Sequence, residues 1–176
     1  MNAALSRQTV QPRVPLRTQE PLWGTAYSTP MGLLAVTASA FGLRSVSFDV
    51  DALHATIQDD ILSLQAFRQW LDAYFAREFD RLPPLELDPQ GAPNDIVVWK
   101  AVVGTNPGRT VSYNDLAARI GRIGQARPVA AAVGRNPLLL VIPCHRITAV
   151  SGGLHGFSAG IERKAWLLRH EGVLLL

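Results

Sequence analysis

The 176-residue chain holds a single cysteine, Cys144. One thiol excludes an internal disulfide and any zinc site that needs two or more thiolates from this chain. Long hydrophobic runs are missing as well. None approaches the ~20 residues of a membrane-spanning helix, and the polar N-terminus lacks the apolar core of a signal peptide. A reducing, cytosolic setting with no membrane partner is therefore expected. Lysine is absent from residues 1–93, where seven arginines face ten acidic residues for a net −3. Residues 94–176 carry ten basic against four acidic side chains, a net +6. The second half has the charge to meet a polyanion, although basic faces are common on proteins that bind none. With 48% hydrophobic and 18% charged residues the chain can bury a core, and its length suits one domain or two small ones.

Residues 1–20, with Pro12, Pro15 and three arginines but no sustained period, read as a disordered tail. Apolar runs at 33–38 and 43–48 flank Ser39-Ala40-Phe41-Gly42 and predict a β-hairpin. Over 61–79, Leu64, Phe67, Leu71, Tyr74 and Phe75 share one helical face, with Asp59 or Asp60 available as a cap. Four prolines and Gly91 within 81–93 read as a linker. It coincides with the charge boundary and divides the chain into domains over 21–93 and 94–176. The second domain is expected to be mainly helical. A helix over 95–103, capped by Asn94 or Asp95, leads to a turn at Asn106-Pro107-Gly108. Ser112 can cap a helix over 113–120, with Asp115 completing a capping box. After a glycine break, Pro128 suits the first position of another short helix, which Asn136-Pro137 ends. Two short helices around a glycine turn make a helix-turn-helix candidate.

Residues 138–142 form an apolar, strand-like run that leads into Pro143-Cys144-His145-Arg146. A lone cysteine is usually a small buried hydrophobe. Here a histidine and an arginine adjoin it, and both favour the thiolate that acts as a nucleophile at neutral pH. Neighbouring side chains diverge on helix and strand alike, so a bridging water is the natural proton path from Cys144 to His145. Glu171, in a helix over 161–171, is a candidate to orient the imidazole, although glutamates at helix ends are normally solvated. Glycine-rich residues 151–160 permit close approach to a flat ligand, or form a flexible surface loop.

Several motifs stand in order: Val98-Trp99, Thr110-Val111-Ser112-Tyr113, Ala126-Arg127, Val133-Gly134-Arg135-Asn136-Pro137, Ile142-Pro143-Cys144-His145-Arg146 and Lys164-Ala165-Trp166-Leu167-Leu168-Arg169-His170-Glu171-Gly172. Together they resemble the O6-alkylguanine-DNA alkyltransferase family of direct-reversal repair proteins, closely over residues 95–173 and loosely over 22–93. The resemblance implies an α/β N-terminal domain with a small antiparallel sheet. It also implies a mainly α-helical, winged-helix-like C-terminal domain that contains the helix-turn-helix. The implied activity is stoichiometric transfer of an alkyl group from guanine O6, with thymine O4 as a further candidate, to Cys144. A thioether has no easy hydrolytic exit, so the protein should act once.

By the same resemblance, His145 takes the thiol proton through water and Glu171 orients His145. Tyr113 donates to the leaving guanine, Ser158 binds O6, and Asn136 braces the turn between recognition helix and active site. Backbone carbonyls of Cys144 and Ile147 read the exocyclic amine of a flipped base, and the Phe157 ring contacts it. Arg127 fills the gap in the base stack, while Ala130, Ala131 and Gly134 keep the helix slim for the minor groove and Arg135 adds basic charge. With Pro128 as first helical residue, Arg127 falls at the cap and projects from the helix start. No cofactor or metal is implied. The partner is duplex DNA carrying the lesion, met by a monomer with cooperative assembly left open, in the cytoplasm or at a bacterial nucleoid. The chain departs from the family pattern at Asn94-Asp95, residues 104–108, Ile123-Gly124, Pro128 and Phe157. Two other functions compete: a cysteine hydrolase, which would turn over, and a non-catalytic DNA-binding module, against which Cys144 counts.

Overall fold

The structure, a computed structural model, describes residues 9–10, 21–51, 53–58, 60–154 and 156–173. The chain divides into two compact units: Met1–Gly91 with Pro137–Leu139, and Ala92–Asn136 with Leu140–Leu176.

The first unit is a six-stranded sheet carrying one long helix. Its strands are β1 (Thr9–Val10), β2 (Trp23–Thr29), β3 (Gly32–Ser39), β4 (Gly42–Ser47), β5 (Thr56–Ile57) and β6 (Glu86–Leu87), in the spatial order β1-β6-β4-β3-β2-β5. The expected hairpin is β3–β4, turned by Ala40 and Phe41. Gly42 cannot be replaced there. Its φ is 143°, and a Cβ would lie 2.4 Å from the carbonyl oxygen of Glu86. Strand β2 is new to the reading: WGTAYST mixes polar residues with a half-buried pattern, so no apolar run announces it. The sheet is mixed rather than antiparallel, because β1, β5 and β6 arrive through longer connections and pair in parallel. Of the stretch expected to be a disordered tail, only Thr9 and Val10 lie among the described residues, and they pair with β6.

Helix α1 (Leu62–Phe75) buries Leu64, Phe67, Trp70, Leu71 and Tyr74. Ile61 caps it without a side-chain bond, so Asp60 does not serve as the cap, and Asp59 lies outside the described residues. The proline-rich stretch 81–93 is more than a linker. Leu82, Leu85 and Leu87 are buried, β6 runs through it, and Pro93 opens the next helix. Its apolar residues are spaced between the prolines, which hid them. Residues 138–142 form no strand either. Val46 donates to Pro137 O at 2.8 Å and accepts from Leu139 N at 3.1 Å, after which Leu140 turns left-handed at φ 68°.

The second unit holds α2 (Pro93–Val103), α3 (Tyr113–Arg119), α4 (Ala126–Gly134) and α5 (Ile161–His170), with the short strands β7 (Val111–Ser112) and β8 (Ile147–Thr148) paired in parallel. Helix α2 starts earlier than expected, with Ala92 as cap and Pro93 in the first turn, so neither Asn94 nor Asp95 caps it. Ser112 does cap α3, accepting from Asp115 N at 3.0 Å. Gly121 and Gly124, at φ 72° and 79°, turn the chain between α3 and α4. Gln125 rather than Arg127 is the α4 cap, which puts Arg127 and Pro128 inside the first turn. Proline is tolerated at any of these positions, because the first amides of a helix have no acceptor within it.

Candidate active site

Pairing of β7 with β8 sets Ser112 opposite Thr148. It thereby brings the start of α3, with Tyr113, to the segment that follows the 3-10 turn Cys144–Arg146. Cys144 is 5% exposed. Its Sγ accepts a hydrogen bond at 3.0 Å from Asn136 Nδ2, which also donates to Ile142 O at 2.8 Å. Burial pushes the thiol pKa up. The Asn136 bond, the Lys164 ammonium and the amides of Cys144 and His145 oppose that rise without cancelling it. The thiol at rest is therefore protonated. Of the two neighbours expected to favour the thiolate, Arg146 is turned to other partners, Glu171 and Thr105 O.

The next residue, His145, carries an imidazole. His145 is completely buried, and its Nε2 lies 2.8 Å from Glu171 Oε1. Burial lowers the imidazole pKa; Glu171 works against this, while Arg146 and Lys164 reinforce it. A neutral ring beside an ionised carboxylate donates its Nε2 proton, which leaves the lone pair on Nδ1. Nδ1 is buried and has no hydrogen-bond partner among the described residues. It is the open acceptor of the site.

Glu171, the C-cap of α5, is buried despite its helix-end position. Burial by itself would raise its carboxyl pKa, but His145 and Arg146 hold it well below the usual carboxylate range. The permanent charge is that of Arg146, which forks onto both carboxylate oxygens at 2.9 Å and also donates to Thr105 O. The sequence reading missed this role for Arg146. It also gave no role to Lys164, a buried lysine whose Nζ donates to Ile147 O. Burial brings the Lys164 pKa down to about 8, and Cys144 acts in the opposite direction. Only the fold reveals either residue, since both sit inside motifs that read as flanks of others.

Tyr113 is half-buried. Burial, then the proximity of Cys144, raises its phenol pKa and keeps it a proton donor. A Cβ on Gly156 would lie 3.6 Å from its hydroxyl, so the glycine loop passes close to the phenol. Phe157 stands edge-on to the His145 ring at 6.5 Å between centroids. Cys144, His145, Glu171, Asn136, Tyr113 and Phe157 thus cluster. Ser158 is exposed on the loop, and Ile147 is buried with its carbonyl engaged by Lys164. On α4, Arg127, Ala131 and Gly134 are exposed and Ala130 is half-buried. Arg135 is committed to an ion pair with Asp95, 2.6 Å away.

Residues 94–173 match the 6-O-methylguanine DNA methyltransferase DNA-binding domain, and residues 22–89 match the ribonuclease-like domain of the same proteins. A methylated-DNA–protein-cysteine methyltransferase of Salmonella typhimurium is 46% identical over 103 residues, which cover 58% of this chain and 60% of that protein. The Haemophilus influenzae protein of that name is 30% identical over 156 residues, covering 86% of this chain and 87% of its own length. Among solved structures, Mycobacterium tuberculosis OGT in complex with DNA superposes with a TM-score of 0.76 at 34% identity, covering 85% of this chain and 92% of that one. Both halves of the chain are matched, so the chain belongs to the 6-O-methylguanine DNA methyltransferase family.

Proposed function

We propose that the protein repairs DNA by direct reversal, moving an alkyl group from guanine O6 to Cys144 once per molecule. The observation that carries this reading is the buried row Cys144–His145–Glu171, ending in an open Nδ1. The thiol gives its proton, through a water, to Nδ1. Sγ then attacks the alkyl carbon, the S–C bond forms as the C–O6 bond breaks, and the proton passes to the departing guanine. Asn136 stabilises the thiolate by donating to Sγ, and Glu171 steadies the imidazolium that forms. Tyr113, a protonated phenol, donates to the guanine ring and recovers the thiol's proton from the imidazolium, so that one proton in all reaches the base and it leaves neutral. Ser158 on the loop binds O6, and the Cys144 and Ile147 carbonyls, which already accept from Ile147 N and Lys164 Nζ, meet the exocyclic amine with their second lone pairs.

A guanine inside the duplex keeps its O6 substituent shielded, so the base must be flipped. Helices α3 and α4 serve as the helix-turn-helix, with α4 in the minor groove. Exposed Arg127 in its first turn fills the vacated stack, and the small residues Ala130, Ala131 and Gly134 permit close approach. The DNA complex solved for the Mycobacterium tuberculosis relative supports DNA as the partner. The protein acts as a monomer in this reading.

Intact mass after mixing with a methylated-guanine duplex is expected to rise by one methyl in place of one hydrogen, mapped to the Cys144 peptide. Several turnovers without a mass change would overturn the reading in favour of hydrolysis. Arg127→Ala is expected to slow transfer from duplex about tenfold or more while sparing transfer from free O6-benzylguanine, which needs no unstacking. Equal slowing on both substrates would remove Arg127 from the stack.

A further inference from the structure

Arg135 stands in the basic half of the chain, yet its guanidinium is already engaged. It forks onto Asp95, Nε donating to Oδ2 at 3.0 Å and Nη2 to Oδ1 at 2.6 Å. Asp95 lies in the first turn of α2, its side chain 6% exposed against 57% for Arg135. A carboxylate buried to that degree depends on its partner, and a two-pronged fork fixes both direction and distance. Four residues further along α2, on the same face, Trp99 donates its indole N–H to Ala132 O at 2.8 Å. The same carbonyl accepts the backbone N–H of Arg135. Two side chains of α2 therefore grip the last turn of α4. The next residue is Asn136, whose amide holds Ile142 O and Cys144 Sγ.

We propose that Asp95 and Arg135 are positioning residues for the nucleophile: their fork, together with Trp99, fixes the end of α4 so that the Asn136 amide stays on Cys144 Sγ. The proposal rests on Cys144 being the reactive group. Donation to sulfur favours the thiolate over the thiol, so a displaced Asn136 makes the thiol harder to ionise. The Nε–Nη2 edge that would grip a phosphate is the edge given to Asp95. Arg135 thus acts on the chemistry, and its pull on DNA is spent inside the protein.

The test reads the thiol with no DNA present, as the rate of Cys144 alkylation by iodoacetamide against pH in the full chain. His145, Lys164 and Tyr113, the other groups that act on Sγ, stay in place. Arg135→Ala alone strands a buried carboxylate and risks the fold, so the informative variant is the double substitution Asp95→Asn with Arg135→Ala. Its pH midpoint is expected to rise by about half a unit, in the same direction as Asn136→Ala. Arg135→Lys, which keeps one prong, should recover part of the shift. The dependence of duplex binding on salt should keep its wild-type slope. An unmoved midpoint overturns the proposal, and so does a slope reduced by about 0.9, which would make Arg135 a phosphate contact. A shifted midpoint in a protein that takes no methyl from DNA would leave this proposal standing and remove the repair reading instead.

Discussion

Each unit of the molecule buries a carboxylate that receives an arginine, and the two networks end differently. Asp88, in the sheet unit, takes Ser39 Oγ and Arg44 Nη2 on one oxygen and Gln90 Nε2 on the other. Ser39 in turn accepts from Phe41 N, so this network closes on the backbone of the β3–β4 turn. Glu171, in the helical unit, takes both prongs of Arg146 and the imidazole of His145. Behind that imidazole lies Nδ1, with no hydrogen-bond partner among the described residues. The same carboxylate–arginine pairing holds a hairpin in one place and a buried imidazole in the other. The difference lies in whether the last group of the network still has an acceptor to offer.

The largest expected effect separates the two networks by rate. His145→Ala or Glu171→Gln should slow methyl transfer by roughly 10²–10⁴-fold, the range attributed to a positioned general base. Asp88→Asn should leave the single-turnover rate of folded protein within about twofold of wild type. A slow Asp88 variant would break the contrast. Stability comes next. Glu171→Ala strands Arg146, which is 2% exposed, and should cost about 3–5 kcal/mol in denaturant unfolding. Asp88→Ala should cost less, because Arg44 is 21% exposed and regains water.

The smallest expected effect is in acid. His145 and Glu171 both have native pKa values below their unfolded ones, so the unfolded state binds the extra protons as pH falls. Their contribution is whole above about pH 6.5, declines as the unfolded imidazole protonates, and declines further below about pH 4.3. Thermal melts of His145→Gln should show a flatter limb between about pH 6.5 and 5. An unchanged limb would mean that the imidazole is not held neutral.

Much of this was legible in the sequence because the signals were local. Ser112 with Asp115 announced the α3 cap, the stripe of α1 announced its buried face, and Pro143-Cys144-His145-Arg146 marked the turn that carries the buried Cys144. The misreadings share a cause, which is that long-range partners leave no local trace. Arg146 beside Cys144 looks like an activator of the thiol until Glu171, 25 residues on, is seen to hold it. Arg135 reads as a DNA contact, and the sequence gives no sign that Asp95, 40 residues back, takes its Nε–Nη2 edge. Strand β2 was missed for a different reason: its alternation of small polar residues resembles loop composition, and only its register with β3 makes it a strand.

The three residues Pro137–Leu139 belong to the sheet unit although 45 residues of the helical unit, Ala92–Asn136, precede them in the chain. A growing polypeptide therefore cannot complete its first unit before much of the second has been made. Val46 waits for Pro137 and Leu139 with both backbone groups unmatched. The usual order, in which an N-terminal unit folds while the next is still being synthesised, is unavailable here. Cutting the gene near residue 92 would not yield two self-sufficient fragments. One would lack its last bridging residues, and the other would carry Leu138 and Leu139 into water.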